Sequence, residues 1–253
     1  VLNVLDPAGA AGGEHRQLRA GLDLLEEFSR LLHDREVGGE VGVIHHVRTE
    51  AAQRGVTVTT VVQNVNSRKT SVVLGEAEKV LYGKGFILDT LCGKTYAISP
   101  CSFYQINHAQ TEVLYGLAVE AAKLTGKEVV LDAYCGIGTI GLCAAGRAKQ
   151  VIGVERNPDA VRNACANAAA NKINNARFIC ADATDWMRAA AQPNSGLPHP
   201  DVVFLDPPRE GSTPACIDAV AAMKPKRVVY VSCNPETLAL SLIHISEPTR
   251  HAQ

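Results

Sequence analysis

The sequence predicts an α/β protein in which a mostly parallel, doubly wound sheet follows a smaller strand-rich α+β region. Three observations predict it. From Val129 onward, short apolar runs alternate with helical patterns, as buried parallel strands and their crossover helices do. The first of these runs ends in an acidic residue and a glycine-rich turn, LDAYCGIGTIG (Leu131 to Gly141). Before Ile98, by contrast, short runs are punctuated by Gly55, Asn66, Gly75, Gly83, Gly85 and Gly93, the texture of antiparallel hairpins.

In chain order, Val1 to Gly13 is small and Gly/Ala-rich and reads as a loop. Leu18, Leu22, Leu25, Phe28, Leu31 and Leu32 recur at helical spacing and predict an amphipathic helix over Glu14 to Arg35. Val41 to Val47, Val56 to Val65, Ser71 to Leu74, Val80 to Tyr82, Phe86 to Leu91 and Thr95 to Ile98 read as strands, and a domain boundary is placed at residues 100/101. Ser102 to Leu124 opens with SFYQIN and continues as a helix with Val113, Leu114, Leu117, Ala118 and Ala121 on one face. The alternating part then has strands at Val129 to Ala133, Val151 to Glu155, Ala176 to Cys180, Val202 to Asp206 and Val228 to Cys233. Its helices lie at Thr139 to Ala145, Pro158 to Asn171, Thr184 to Ala191 and Pro214 to Met223. Asn157-Pro158 supplies a side-chain cap and a first-turn proline. Gln192 to Pro200 carries three prolines and a glycine, hence a surface loop.

Composition narrows the function classes. The chain has 253 residues, 46% of them hydrophobic, enough for a substantial core. A net charge of −1 announces no global basic field for nucleic acid, though a local groove is compatible with it. No apolar run is long enough to span a bilayer, and no signal peptide is read, so a cytoplasmic protein away from membranes is expected. None of the eight cysteines forms a CxxC pair, which argues against a zinc knuckle or a disulfide framework. The first residue is Val1, and the chain is read as a fragment.

In a doubly wound sheet, ligands bind outside the carboxyl ends of the strands. All five strands here end in polar residues: Asp132-Ala133-Tyr134, Glu155, Ala181-Asp182, Asp206-Pro207-Pro208-Arg209 and Ser232-Cys233-Asn234-Pro235. Any one could be a turn or capping residue, but five in one register point to a single crevice. The glycine turn brings backbone close to a ligand beside a helix N-terminus, and Glu155 can take the two hydroxyls of a ribose. The turn also satisfies GxGxxG, so on this motif alone a nicotinamide cofactor stays open. Two prolines stiffen the turn that carries Asp206 and Arg209. Cys233 precedes a proline-fixed helix start, where the helix N-terminus favours a thiolate; it is the nucleophile candidate.

Taken together, SFYQIN (Ser102 to Asn107), LDAYCGIGTIGL (Leu131 to Leu142), GVERNPDAV (Gly153 to Val161), DPPREG (Asp206 to Gly211) and VSCNPETLA (Val231 to Ala239) resemble the S-adenosylmethionine-dependent RNA uracil-5-methyltransferases. The resemblance runs from about Gly13 to Ala239, and SCNP together with DPPR carries its specificity. The glycine turn and SFYQIN look more like the bacterial enzymes for 23S ribosomal RNA than those for transfer RNA. The resemblance implies a class I methyltransferase (Rossmann-like) sheet whose C-terminal strands are missing. It implies S-adenosyl-L-methionine as cofactor, with Gln105, Tyr134, Glu155 and Asp206 as contacts and Thr139 and Asp182 beside them. Cys233 is then the catalytic nucleophile, and Arg209 and Asn234 are candidate substrate contacts. RNA is the expected partner, with no metal in this fragment and a monomeric state. The family places a catalytic glutamate beyond the cysteine, past Ala239; neither Glu236 nor Glu247 is read as that residue. A piece impaired in turnover is therefore expected.

The chemistry explains the residue types. C5 of uracil is a poor nucleophile. A thiolate adding to C6 makes C5 the nucleophilic end of an enolate, and a base must later remove the C5 proton. The target base must also leave its stack. Leu240 to Arg250 (LSLIHISEPTR) resembles the translation of a widely used transposase sequencing adapter, so residues 240–253 are read as a non-native tail. The competing readings are an amine-directed methyltransferase, a nicotinamide dehydrogenase and a noncatalytic RNA- or cofactor-binding fragment. Arg209 stands where the amine-directed enzymes often carry a stacking aromatic, and a dehydrogenase leaves DPPR and SCNP without a role.

Overall fold

The computed structural model describes residues 2–5, 39–66, 74–75 and 77–246. The expected helix at Glu14 to Arg35 and most of the expected strand at Ser71 to Leu74 lie outside them. The chain divides into two compact units, one of Val1–Leu91 with Tyr96–Gln110, the other of Cys92–Thr95 with Thr111–Gln253.

In the first unit, β1 (Leu2–Leu5) pairs antiparallel with β2 (Thr60–Val65), which pairs antiparallel with β3 (Ala77–Tyr82). Before β2 comes α1 (Gly39–Gln53), and here the sequence reading needs correction. Val41 to Val47 is helix, not strand. Its valines favour a strand locally, but the buried positions are Val47 and Ala51, one helical turn apart, packed with Val58 and Val61. Val41, which a half-buried strand would cover, is 79% exposed. The pair β4 (Ile87–Leu91) and β5 (Lys94–Ile98) is a hairpin. Its two linking residues, Cys92 and Gly93, both have positive φ, as the tight turn that matches strand twist requires.

The helix α2 (His108–Ala121) begins after SFYQIN, with Asn107 Oδ1 accepting from the Gln110 amide at 3.2 Å. Its buried residues are Thr111, Tyr115, Ala118 and Val119. The apolar face expected from the sequence is therefore misplaced: Val113, Leu114 and Leu117 are exposed. Helical periodicity alone leaves the face ambiguous when apolar residues surround the helix, and Tyr115 and Val119 won the buried side.

The second unit is the predicted parallel sheet. Its elements are β6 (Val129–Ala133), α3 (Thr139–Ala145), β7 (Gln150–Glu155), α4 (Pro158–Ala170), β8 (Ala176–Cys180), α5 (Ala183–Ala190), β9 (Val202–Leu205), α6 (Pro214–Met223), β10 (Arg227–Tyr230) and α7 (Pro235–Ser246). The strand order is β10-β9-β6-β7-β8, every pair parallel. Succession therefore runs outward from β6 in one direction, then reverses and places β9 on its other side. Such a reversal opens a crevice at the strands' carboxyl ends, between β6 and β9. All four residues of β9 are buried, and so are Val130 to Ala133 of β6. One core cluster joins Leu131, Ile152, Val203 and Leu205 of the sheet to Trp186 and Met187 of α5 and Val220 and Met223 of α6. Asn157, Asp182 and Thr213 cap α4, α5 and α6 by accepting backbone amides. The helix α7 runs to Ser246, past Ala239, without a break.

Candidate functional site

The glycine turn is shaped from below by Asp132. This residue is 1% exposed, and its Oδ2 accepts from the Gly141 amide at 2.7 Å. Its Oδ1 is buried with no hydrogen-bond partner. Burial pushes the Asp132 carboxyl up to about 7 against the opposing Gly141 bond, with the charges of Asp206 and Glu155 adding to the rise. A Cβ on Gly141 would lie 2.9 Å from Asp132 Oδ2 and 2.9 Å from Val151 Cγ1. Gly138, at φ 86°, takes the left-handed conformation, with Phe178 against it.

Glu155 closes β7 and reaches sideways to that turn. Its Oε2 accepts from the Gly136 amide at 3.2 Å and its Oε1 from the Asn157 amide at 2.7 Å. A carboxylate has about four lone-pair sites, so both oxygens can still accept from vicinal hydroxyls. Tyr134 follows β6 at φ 68°, a left-handed conformation uncommon outside glycine. Its amide donates to Val154 O at 3.0 Å, and its hydroxyl donates to Cys216 Sγ at 3.3 Å. Burial raises that phenol. Thr139 opens α3, its Oγ1 3.3 Å from the Tyr115 hydroxyl.

Asp182 caps α5 through one oxygen, Oδ1, which accepts from Thr184 N at 2.9 Å and Asp185 N at 3.2 Å. Asp206 follows β9, and burial pushes its carboxyl up to about 6. Arg209, three residues on, is exposed. Cys233 is exposed just beyond β10. Asn234 Oδ1 accepts from the Glu236 amide at 3.0 Å, the capping contact of α7.

The sheet register thus sets Tyr134, Glu155 and Asp206 in one row at the carboxyl ends of β6, β7 and β9, while Asp182, Arg209, Cys233 and Asn234 follow the carboxyl ends of β8, β9 and β10, and Thr139 opens α3. Gln105 lies in the first unit, between the exposed side chains of Phe103 and Ile106. Sequence reasoning missed Tyr115, whose buried hydroxyl meets Thr139. Among the described residues, no group of three or more His, Cys, Asp or Glu could hold a metal ion. No helix among them is long and apolar enough to cross a membrane.

A parallel sheet with this reversal, a glycine turn after the central strand and an acid closing the next strand define a Rossmann-like nucleoside-cofactor domain, and likeness to known proteins makes it a class I methyltransferase domain. The particular family is also determined. The chain belongs to the tRNA (uracil-5-)-methyltransferase family, whose description matches residues 60–252. An uncharacterized RNA methyltransferase of Listeria monocytogenes serotype 4b is 48% identical over 186 residues, 72% of this chain and 40% of the relative. One of Lactiplantibacillus plantarum is 50% identical over 194 residues, 77% of this chain and 42% of the relative. The chain thus spans about two fifths of the length of these relatives. Among solved structures, the tRNA (uracil-54, C5)-methyltransferase of Pyrococcus abyssi, in complex with S-adenosyl-L-homocysteine, is 32% identical, with a TM-score of 0.60 over 74% of this chain and 44% of that one. Trm5b of Pyrococcus abyssi, at 16% identity, shares the fold, with a TM-score of 0.51 over 85% of this chain and 61% of that one. S-adenosylmethionine as methyl donor goes with this family.

Proposed function

We propose that this chain carries the methyl-transfer site of an RNA uracil-5-methyltransferase acting on 23S ribosomal RNA, with Cys233 as the nucleophile. The observation that carries the reading is the exposed Cys233, three residues past the end of β10, on the sheet edge where the parallel register sets Asp206, Tyr134 and Glu155 in one row. Glu155 holds the cofactor ribose. Tyr134, Thr139 and Asp206 line its path towards the crevice, Asp182 lies by the adenine, and Gln105 is assigned to the cofactor by the likeness of its SFYQIN motif alone. Arg209 and Asn234 meet the RNA. The cofactor, when bound, supplies an electrophilic methyl group on a sulfonium.

The thiolate of Cys233 adds to C6 of the extruded uracil, forming the S–C6 bond and placing the electron pair on the C4–C5 enolate. C5 takes the methyl group as the sulfonium–methyl bond breaks, leaving a neutral thioether. A base then removes the C5 proton, and the S–C6 bond breaks to return the thiolate.

The ribosomal assignment rests on the likeness of SFYQIN and the glycine turn to the ribosomal enzymes. A transfer RNA substrate is the second reading, favoured by the likeness to the tRNA (uracil-54, C5)-methyltransferase of Pyrococcus abyssi. Covalent trapping tests both. The chain is incubated with S-adenosylmethionine and 5-fluorouridine hairpins of ribosomal or transfer RNA sequence, and intact mass is read. Fluorine at C5 cannot leave as a proton does, so the adduct persists. A methylated adduct absent in Cys233→Ala is expected, with the ribosomal hairpin reacting faster. Cofactor binding without any adduct would overturn the assignment of Cys233.

A further inference from the structure

The turn that presents Cys233 is tied to the turn that presents Asp206 by a continuous run of hydrogen bonds. The Ser212 amide donates to the Tyr230 hydroxyl oxygen at 3.1 Å. The Tyr230 and Ser241 hydroxyls lie 3.3 Å apart. Ser241 Oγ donates its one proton to Thr237 O at 2.9 Å, so the Tyr230 proton must point to Ser241. Thr237 passes the run on, its hydroxyl donating to Asn234 O at 3.1 Å. Asn234 O also accepts from Ser232 Oγ at 2.9 Å, and Ser232 Oγ accepts from the Asn234 amide at 3.1 Å. These last two bonds bracket Cys233 on both sides.

Packing supports the same link. Gly211 sits at φ 83° with Thr237 so close that a Cβ would lie 2.9 Å from Thr237 Cβ. Ser241 is 3% exposed, although it lies in the stretch read from the sequence as a tail. The phenol is the group in the run whose side chain hydrogen-bonds the β9 loop.

We propose that Tyr230 is a positioning residue: its hydroxyl couples the Asp206–Ser212 loop to the Ser232–Asn234 turn and so sets where the Cys233 thiolate stands relative to the cofactor crevice. The inference rests on Cys233 being the nucleophile. It assigns Tyr230 no contact with the reacting atoms. Hydrogen bonds of this kind are individually worth about 1 kcal/mol, so an uncoupled turn should slow the reaction by roughly 5- to 10-fold rather than abolish it.

The test compares Tyr230→Phe and Ser241→Ala with the unaltered chain. Both break the run, and Ser241→Ala leaves the phenol ring in place should Tyr230→Phe fold poorly. Adduct formation on 5-fluorouridine RNA is followed against RNA concentration. Cys233 carboxamidomethylation is read by peptide mass, with exposed Cys180 as internal reference. The expected result is a 5- to 10-fold lower maximal adduct rate, with the half-saturating RNA concentration and S-adenosylhomocysteine affinity within twofold. The Cys233-to-Cys180 alkylation ratio should shift in both variants. An unaltered chain that forms no adduct defeats the reading of Cys233, and the alkylation ratio then decides the coupling alone. An adduct formed at the unaltered maximal rate in both variants overturns the inference and leaves that reading standing. A parallel loss of cofactor affinity also overturns it, because the run would then serve the fold at large.

Discussion

Asp132 gives one oxygen to the Gly141 amide at 2.7 Å and keeps the other buried without a partner. An ionised carboxylate half-satisfied in the core is costly, and protonation relieves it. The unfolded chain loses this proton near pH 3.8, the folded chain near 7. Between these values the native state holds a proton the unfolded state lacks, so stability from this group declines as pH rises from about 4 through about 7. Asp206, at about 6, adds to the lower part of that interval with the same sign. Asp132→Asn removes the Asp132 share. Urea unfolding at half-unit steps from pH 5 to 8 should show the variant with a flatter decline. An unchanged slope would refute the assignment.

Gly141→Ala tests the same contact from the other side. The added methyl has rigid neighbours at 2.9 Å on two sides, one the carboxylate and one Val151. Overpacking of this kind costs about 1–3 kcal/mol. A lower melting temperature and weaker S-adenosylhomocysteine binding are expected together, since the turn that shifts is the turn that would meet the cofactor. Calorimetry of the variant with and without ligand checks both.

Asp182 has one task in the fold and a second that is proposed for it. Its Oδ1 caps α5, and the adenine contact is the proposed one. Asn caps about as well as Asp, whereas Ala loses about 1 kcal/mol. Asp182→Asn should therefore hold the melting temperature, and Asp182→Ala should lower it by several degrees. S-adenosylhomocysteine affinity should fall in both variants. Retained affinity in Asp182→Asn would mean that the residue is a cap alone.

Leu117 is 60% exposed on α2. Leu117→Glu should change the folding stability of this chain by no more than about 0.5 kcal/mol, as surface substitutions do. Tyr115→Phe, on the buried side, should cost about 1 kcal/mol through the lost contact with Thr139. Denaturant midpoints of the two variants rank the faces directly, and the opposite order would restore the face first read from the sequence.

The central parallel strands were legible because β6, β7 and β9 are buried on both faces, which forces a short uninterrupted apolar run. Val129–Ala133 and Ala176–Cys180 are strands to the residue. The polar strand ends were legible for a related reason: carboxylates do not close buried strands without a partner or a ligand. Less was visible where the outcome depended on distant partners. Val41 to Val47 carries strand-favouring valines, yet Val58 and Val61 select Val47 and Ala51 at helical spacing. The hydroxyl run through Tyr230 joins residues up to 29 positions apart, Ser212 to Ser241, with no local pattern to announce it. Gln105 was read as a cofactor contact from its motif, and its unit carries none of the strand ends described above.

The reversal at β6 also orders events in time. During synthesis β6, β7 and β8 emerge first and can associate with one another as a contiguous set. One wall of the crevice, with Tyr134 and Glu155, is then complete while Asp206 and Cys233 are still to be made. Only when β9 returns to the open side of β6 does a second wall exist. A nascent chain halted before Val202 would hold the glycine turn and Glu155 but neither Asp206 nor Cys233, so with the site assignments proposed above nucleoside recognition would precede chemical competence along the path of translation.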